Sequence, residues 1–273
     1  MALYAVDEDD LIYAGHANPR QTYWCMECFE PVKRRRGKTG LYHFYHLRAP
    51  ASCRLYSKTE DHLFAQLSLQ KAFAPGQLLL ERPFRDINRV ADVLWEAEKI
   101  VFEIQCSPIT EKEAASRISD YASQGYQVVW LLDDKRYNKK IARPAEELLR
   151  QRSAYYLKVR KNTDCQYYDQ FEIFDSKKRI KKAKPSYIDL QHIRRRPSSL
   201  PSNTPAQVSA ISSTIYFLKD RTDRALRYPE TRAYWTALEK TLPAKKRLPI
   251  PRWLKKIAQI YLDWIRYLIL KSH

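Results

Sequence analysis

Apolar positions change period several times along the chain, and each change marks a new element. Residues 3–6 and 11–14 are short apolar runs on either side of an acidic turn, and residues 41–47 alternate after a basic, glycine-containing hairpin at 33–40, the pattern of small antiparallel strands. The apolar material over residues 1–56 is too little for an independent core, and a small domain of this kind calls for a staple. From Thr59 the spacing becomes helical, with Leu63, Leu67, Leu69 and Phe73 in step and Pro75 and Gly76 closing the segment.

Residues 78–82 return to a strand pattern. Residues 89–95 and 99–105 then flank a polar turn at 96–98, which predicts an antiparallel hairpin. Thr110 stands three residues before Glu113, a capping box that opens a helix, and Gly125 sits where a left-handed helix terminus is needed. The nearly continuous apolar run 126–132 follows. Strand, helix and apolar strand form a crossover unit, so this last strand is expected to lie parallel within a buried mixed sheet. The expected organisation is α/β: a small β-rich N-terminal domain at 1–56, a mixed-sheet core at 57–154, and a basic, mainly helical region at 155–273. Within the last, residues 197–205 are rich in Pro and Ser and read as a linker or long loop, while Tyr261, Trp264, Ile265 and Leu268 share one helical stripe.

Charge changes the picture more than composition does. The 273 residues are 44% hydrophobic, which excludes a disordered polymer, but 49 Lys and Arg against 31 Asp and Glu leave a net charge of +18. Residues 135–196 alone hold 19 Lys and Arg against 7 acids. Such a surplus points to a polyanionic partner, and with 19 Tyr and 5 Gly the bases belong to folded surface rather than to a flexible tail. Acidic residues at 7–10 interrupt the first apolar run, which argues against a secretory leader, and Lys255, Lys256, Asp263 and Arg266 interrupt the stretch 253–270. No membrane span is expected, and the expected location is the cytoplasm.

Two constellations carry chemistry. Cys25 and Cys28 are separated by two residues, so both thiolates of one tight turn can reach the same ion, and His43, His46 and Cys53 are the candidates to complete the set. In an extended strand positions 43 and 46 face opposite sides, so one of the two histidines is expected as a ligand. His46 is preferred because it lies nearer the loop that delivers Cys53. Four nitrogen and sulfur ligands describe a structural zinc site; the competing reading is three buried thiols and a His43 that packs on its neighbours. The site would hold the basic run Lys33, Arg34, Arg35, Arg36 and Lys38 toward a phosphate backbone, although such a run by itself is more often a solvated turn.

The second constellation lies in the predicted hairpin. Asp92 is on one strand, Glu103 and Gln105 are two apart on the other, and their side chains project from one face. Carboxylates converging there can hold magnesium or manganese, the arrangement that metal-assisted phosphodiester hydrolysis requires. Glu103 lies inside the apolar run Ile100, Val101, Phe102 and Ile104. A charge buried there needs a partner, and Asp92 is excluded unless a cation lies between the two.

Several separated motifs in order give the chain a family resemblance: the cysteine pair with His43, Phe44, Tyr45 and His46 and the later Cys53; Glu60, Asp61 and His62; Val90, Ala91, Asp92 and Val93; Glu103, Ile104, Gln105, Cys106 and Ser107; and Tyr121 followed by the run from Ser123 to Leu132. Over roughly residues 20–135 this resembles the competence protein CoiA family. The resemblance implies a zinc-finger-like N-terminal domain joined to a PD-(D/E)XK-type nuclease core that acts on DNA taken up in natural transformation. By it, Asp92 and Glu103 are the metal-binding acids, Gln105 occupies the place of the superfamily lysine, and Asp61 and His62, at one end of the first helix, add acidic and polar groups. Two positions depart from the family pattern. Gln105 is neutral, with Arg82 and Arg117 the candidates to compensate, and Gln66 stands where the family more often has Lys. The expected function is a magnesium- or manganese-dependent deoxyribonuclease, or nuclease-like factor, that helps incoming DNA, expected as single strands, into recombination. The alternative is a non-enzymatic DNA-binding mediator with a degenerate site, and a third reading has the C-terminal stripe hand DNA to a recombinase.

Overall fold

The computed structural model describes residues 1–48, 53–160 and 164–241. The chain forms two compact units, Met1–Thr236 and Ala237–His273. The stripe expected over 253–270 lies outside the described residues.

Five short strands open the first unit: β1 (Tyr4–Asp7), β2 (Asp10–Tyr13), β3 (Tyr23–Trp24), β4 (Pro31–Arg36) and β5 (Tyr42–His46). They form one antiparallel sheet in the order β2-β1-β3-β4-β5. Its apolar cluster is built from small residues, such as Ala5, Ala14 and Ala17, with Tyr23, Val32 and Phe44, and includes Cys25 and Cys53. The β4–β5 turn ends at Gly40, whose φ of 85° is left-handed and suits glycine. Gly37 in the same turn lies against the Glu60 carboxylate, so a side chain there would have to displace it.

The first helix, α1 (Glu60–Lys71), starts at Thr59, whose hydroxyl accepts from the His62 amide at 3.3 Å. Leu63, Ala65 and Leu69 bury one face of it in the main core. Leu3 belongs to that core too, so the N-terminal segment is seated on it. Next come β6 (Leu79–Phe84), β7 (Arg89–Trp95) and β8 (Ile100–Gln105), an antiparallel run in which all six residues of β8 are buried. Thr110 caps α2 (Glu111–Ser123) by accepting from the Glu113 amide at 3.1 Å, and Gly125 takes a left-handed φ of 78° beyond its end. The expected crossover follows: β9 (Gln127–Asp133) pairs parallel to β8 from Ile100 with Gln127 through Gln105 with Leu132.

The sheet continues past residue 154. After α3 (Asp134–Tyr137) and α4 (Pro144–Arg150), β10 (Ala154–Lys158) adds parallel to β9, and β11 (Gln166–Asp169) adds antiparallel to β10. A basic hairpin of β12 (Glu172–Asp175) and β13 (Lys178–Lys182) follows, and β14 (Ser186–Tyr187) completes the seven-stranded order β14-β11-β10-β9-β8-β7-β6. A further pair, β15 (Asp189–Arg195) and β16 (Ile215–Leu218), brackets the short α5 (Ala206–Ser209), and the described chain ends with α6 (Arg221–Arg227) and α7 (Pro229–Thr241). Over 155–218 the expectation of a mainly helical region therefore does not hold: most of its elements are strands. The reason is an ionic interior. Arg150, Asp169, Glu172 and Arg179 are all buried and paired with one another, so the apolar periodicity that announces a strand is broken by charges at core positions. Residues 197–205 carry neither helix nor strand, as expected of a loop. No helix among the described residues is long and apolar enough to cross a membrane.

Candidate active site and metal cluster

The N-terminal sheet gathers Cys25, Cys28, His46 and Cys53 so that one ligand atom from each lies within 4.8 Å of all the others. The Cys25 and Cys53 sulfurs are 3.8 Å apart, and His46 Nε2 lies 3.3 Å from Cys28 Sγ and 3.5 Å from Cys53 Sγ. A tetrahedron with metal–sulfur bonds of about 2.3 Å has edges of about 3.8 Å, so the set fits a metal such as zinc. Their shared hydrogen bond lowers the Cys53 thiol to about 6 and, with burial, pushes Cys25 up. His43 is excluded from the cluster by its own partners: it is fully buried, its Nε2 accepts from Arg35 Nε at 2.9 Å, and its Nδ1 lies 3.3 Å from the Leu41 carbonyl.

Three acids line up across the adjacent strands β6, β7 and β8. Leu80 pairs with Val93 and Arg82 with Ala91, which sets Glu81 opposite Asp92; Val93 pairs with Phe102, which sets Glu103 next to Asp92 on the other side. Their exposures are 0%, 3% and 1%. Burying three carboxylates side by side is prohibitive unless each meets donors or cations, and each does. Lys58 Nζ lies 2.7 Å from Asp92 Oδ1 and 3.1 Å from Glu81 Oε1. His62 Nε2 is 3.1 Å from Asp92 Oδ1, and the Ile104 amide donates to Asp92 Oδ2 at 2.8 Å. Arg117 Nη1 donates to Glu103 Oε2 at 2.5 Å and Tyr121 Oη to Glu103 Oε1 at 2.9 Å. The cation that Glu103 requires is thus a protein side chain from α2.

These surroundings drive the two hairpin acids apart. Burial works against the Asp92 carboxylate, but the His62 and Lys58 charges together outweigh it and hold its carboxyl far below the usual range. Burial also holds the His62 imidazole below its ordinary value, so at neutral pH Lys58 is the standing cation beside Asp92. Burial raises Glu103, against the opposing pull of Arg117. Paired carboxyls with divergent acidities are characteristic of functional sites.

Asp92, Glu103, Gln105 and His62 line one cavity of about 60 Å³, together with Lys58, Arg117 and Tyr121. Asp61 and Arg82 are not among its lining residues. Gln105 does not reach the acids: its amide donates to the Ser107 carbonyl at 2.7 Å and to Ser107 Oγ at 3.1 Å. Gln66 donates to the Asp92 carbonyl at 2.8 Å, so it braces β7 and adds no charge. The basic run lies on β4 and the turn after it. Arg34 stacks 3.8 Å over Tyr42, Arg35 stacks 4.8 Å over Tyr45, and the Lys38 and Thr39 amides donate to Glu60 at the start of α1. Sequence reading missed Lys58 and Glu81. Glu81 carried the same signal as Glu103, an acid inside an apolar strand pattern, whereas nothing local marks Lys58.

A mixed α/β sheet that buries a row of acids, two of them lining a cavity beside Lys58 and Arg117, is here the nuclease-like domain of a known family. The family model described as competence protein CoiA, nuclease-like domain, matches residues 58–194. The chain belongs to that family. Neither a curated protein nor a solved structure gives a match.

Proposed function

We propose that this chain is a metal-dependent deoxyribonuclease that processes incoming DNA in natural transformation. The observation that carries the reading is the buried pair Asp92 and Glu103 lining one small cavity in a nuclease-like domain of the CoiA family. Asp92 and Glu103 would hold magnesium or manganese. Their oxygens fit such an ion: a carboxylate offers about four lone-pair sites, and on Asp92 Oδ2 and both oxygens of Glu103 only one is taken by a donor. When bound, such an ion supplies Lewis acidity and a water of lowered pKa.

The chain's own groups do the rest. Lys58 keeps Asp92 ionised while the His62 imidazole hydrogen-bonds to it, Arg117 and Tyr121 fix the Glu103 carboxylate, and the guanidiniums of Arg34, Arg35 and Arg36 with Lys33 and Lys38 draw in the phosphate backbone. Zinc in the Cys25, Cys28, His46 and Cys53 cluster is structural, since four protein ligands leave no open position. The test is cleavage of linear single-stranded and duplex DNA with magnesium or manganese, beside Glu103→Ala and Gln105→Lys. Metal-dependent cleavage that Glu103→Ala abolishes without loss of DNA affinity supports the reading. One observation favours a second reading, a non-enzymatic DNA-binding mediator: neutral Gln105 is turned onto Ser107. An equal background for wild type and both variants would establish it.

A further inference from the structure

Four cations line the acid cavity among the described residues: Arg54, Lys58, Arg89 and Arg117. Three of them are guanidiniums fixed by several partners. Arg54 is bound to Glu27 and the Asn88 carbonyl, Arg89 to Asp120, Glu113 and Ser116, and Arg117 to Glu103 and to Glu113 on its own helix. Lys58 differs. It is a point charge on a flexible stem with three donors, of which Glu81 and Asp92 take two.

The surroundings of Lys58 are built from the N-terminal module. Glu81 is fully buried and holds a left-handed φ of 47°, uncommon for a residue with a side chain. Its Oε2 accepts from the Leu3 and Tyr4 amides at 2.7 Å and 3.0 Å, leaving Oε1 for Lys58. The turn leading into Lys58, Arg54–Ser57, follows directly on Cys53, and the Leu55 amide donates to Glu27 Oε2 at 2.9 Å, from between the paired cysteines. Lys58 is thus held by two acids of the core sheet, one of which, Glu81, is itself fixed by the N-terminal segment, while the turn that delivers Lys58 is tied to Glu27.

We propose that Lys58 is the catalytic cation that meets the phosphate of the substrate and that Glu81 is its positioning residue, set by the first strand of the N-terminal module. The inference rests on the nuclease reading above. In the step it serves, a water oxygen bonds to phosphorus and gives up one proton to solvent, the bond from phosphorus to the departing sugar oxygen breaks, and that oxygen takes up one proton from solvent, so that water is added across the bond. Lys58 stays protonated throughout and stabilises the charge that develops on the phosphate oxygens.

The experiment is a double-mutant cycle in the full chain, read by cleavage of single-stranded DNA with manganese and by the manganese-induced rise in melting temperature. Lys58→Met is expected to slow cleavage about a hundredfold. It is also expected to tighten manganese binding about tenfold, because two buried acids lose their cation and a metal replaces it. A purely structural lysine would weaken both together. Glu81→Gln is expected to slow cleavage about tenfold, and Lys58→Met/Glu81→Gln no more than Lys58→Met alone, since coupled residues are not additive. The double variant removes an acid with the base and so keeps the test alive if Lys58→Met folds poorly. Wild-type cleavage rates in Lys58→Met or in the double variant, additive losses in the cycle, or manganese binding lost along with cleavage would overturn the inference. An active wild type with an unaffected Lys58→Met sinks this inference alone; an inactive wild type sinks the nuclease reading and this inference with it.

Discussion

The cysteine–histidine cluster and the acid row are both sets of ligand atoms gathered from separate strands, yet they are balanced differently. Around Cys25, Cys28, His46 and Cys53 one ligand atom from each lies within 4.8 Å of the others, with three of the contacts at 3.3 to 3.8 Å, a spacing that suits one central ion. Around Glu81, Asp92 and Glu103 the protein supplies its own cations, Lys58 and Arg117, each shared with a second acid: Lys58 between Asp92 and Glu81, Arg117 between Glu103 and Glu113. A set of the first kind depends on its metal to hold the fold around it. A set of the second kind keeps its shape on internal ion pairs.

The sharpest way to break the comparison is to remove one ligand from each side. Cys28→Ser is expected to lose close to one equivalent of zinc by elemental analysis and to unfold the N-terminal sheet, seen as lost amide dispersion for residues of β1 to β5. Asp92→Ala, by contrast, should leave zinc content and DNA affinity intact while abolishing metal-dependent cleavage. Loss of zinc from the Asp92 variant would show that the two sets are one unit.

Next in size is a test of internal neutralisation. Arg117→Ala leaves Glu103 buried without its cation, and urea denaturation should show a loss of about 3 to 5 kcal/mol. A loss under about 1 kcal/mol would mean that Glu103 is protonated and already neutral.

Acid pH sharpens the contrast further. Asp92 and His62 both have folded-state acidities below their unfolded values, so their stabilising contributions are complete above those unfolded values and fade as pH falls through the folded ones. Zinc-loaded protein free of magnesium and manganese should begin to lose stability as pH drops below about 6.5, the ordinary histidine value, and to lose more below about 3.9, the ordinary aspartate value. His62→Gln should flatten the upper part of that decline, read as melting temperature against pH; an unchanged curve would assign the decline to the cysteine cluster instead. The smallest expected effect belongs to neither set: Thr110→Ala removes the cap of α2 and should cost about 1 kcal/mol, equally with and without metal.

Local chemistry made much of this visible beforehand. The two-residue gap between Cys25 and Cys28, the strand geometry that separates His43 from His46, the capping box at Thr110 and the crossover from β8 to β9 all depend on neighbours within a few residues, which a linear pattern records. Glu103 betrayed itself as a charge inside an apolar run, and the requirement for a cation beside it was sound. Arg117 was already a candidate cation for the site, but its pairing with Glu103 was not legible, because 14 residues and a change of element separate the two.

By itself, then, the sequence determined the sulfur cluster, the hairpin that carries Asp92 and Glu103, and the net positive charge of the chain, since each follows from spacing, period or charge. Tertiary structure alone decided that Glu81 completes the acid row, that Lys58 rather than Gln105 stands over Asp92, and that the strands beyond residue 154 extend the sheet around a buried ionic network. Those outcomes rest on charges paired across long separations in the chain. A buried charge says only that a partner exists, and packing chooses which one it is.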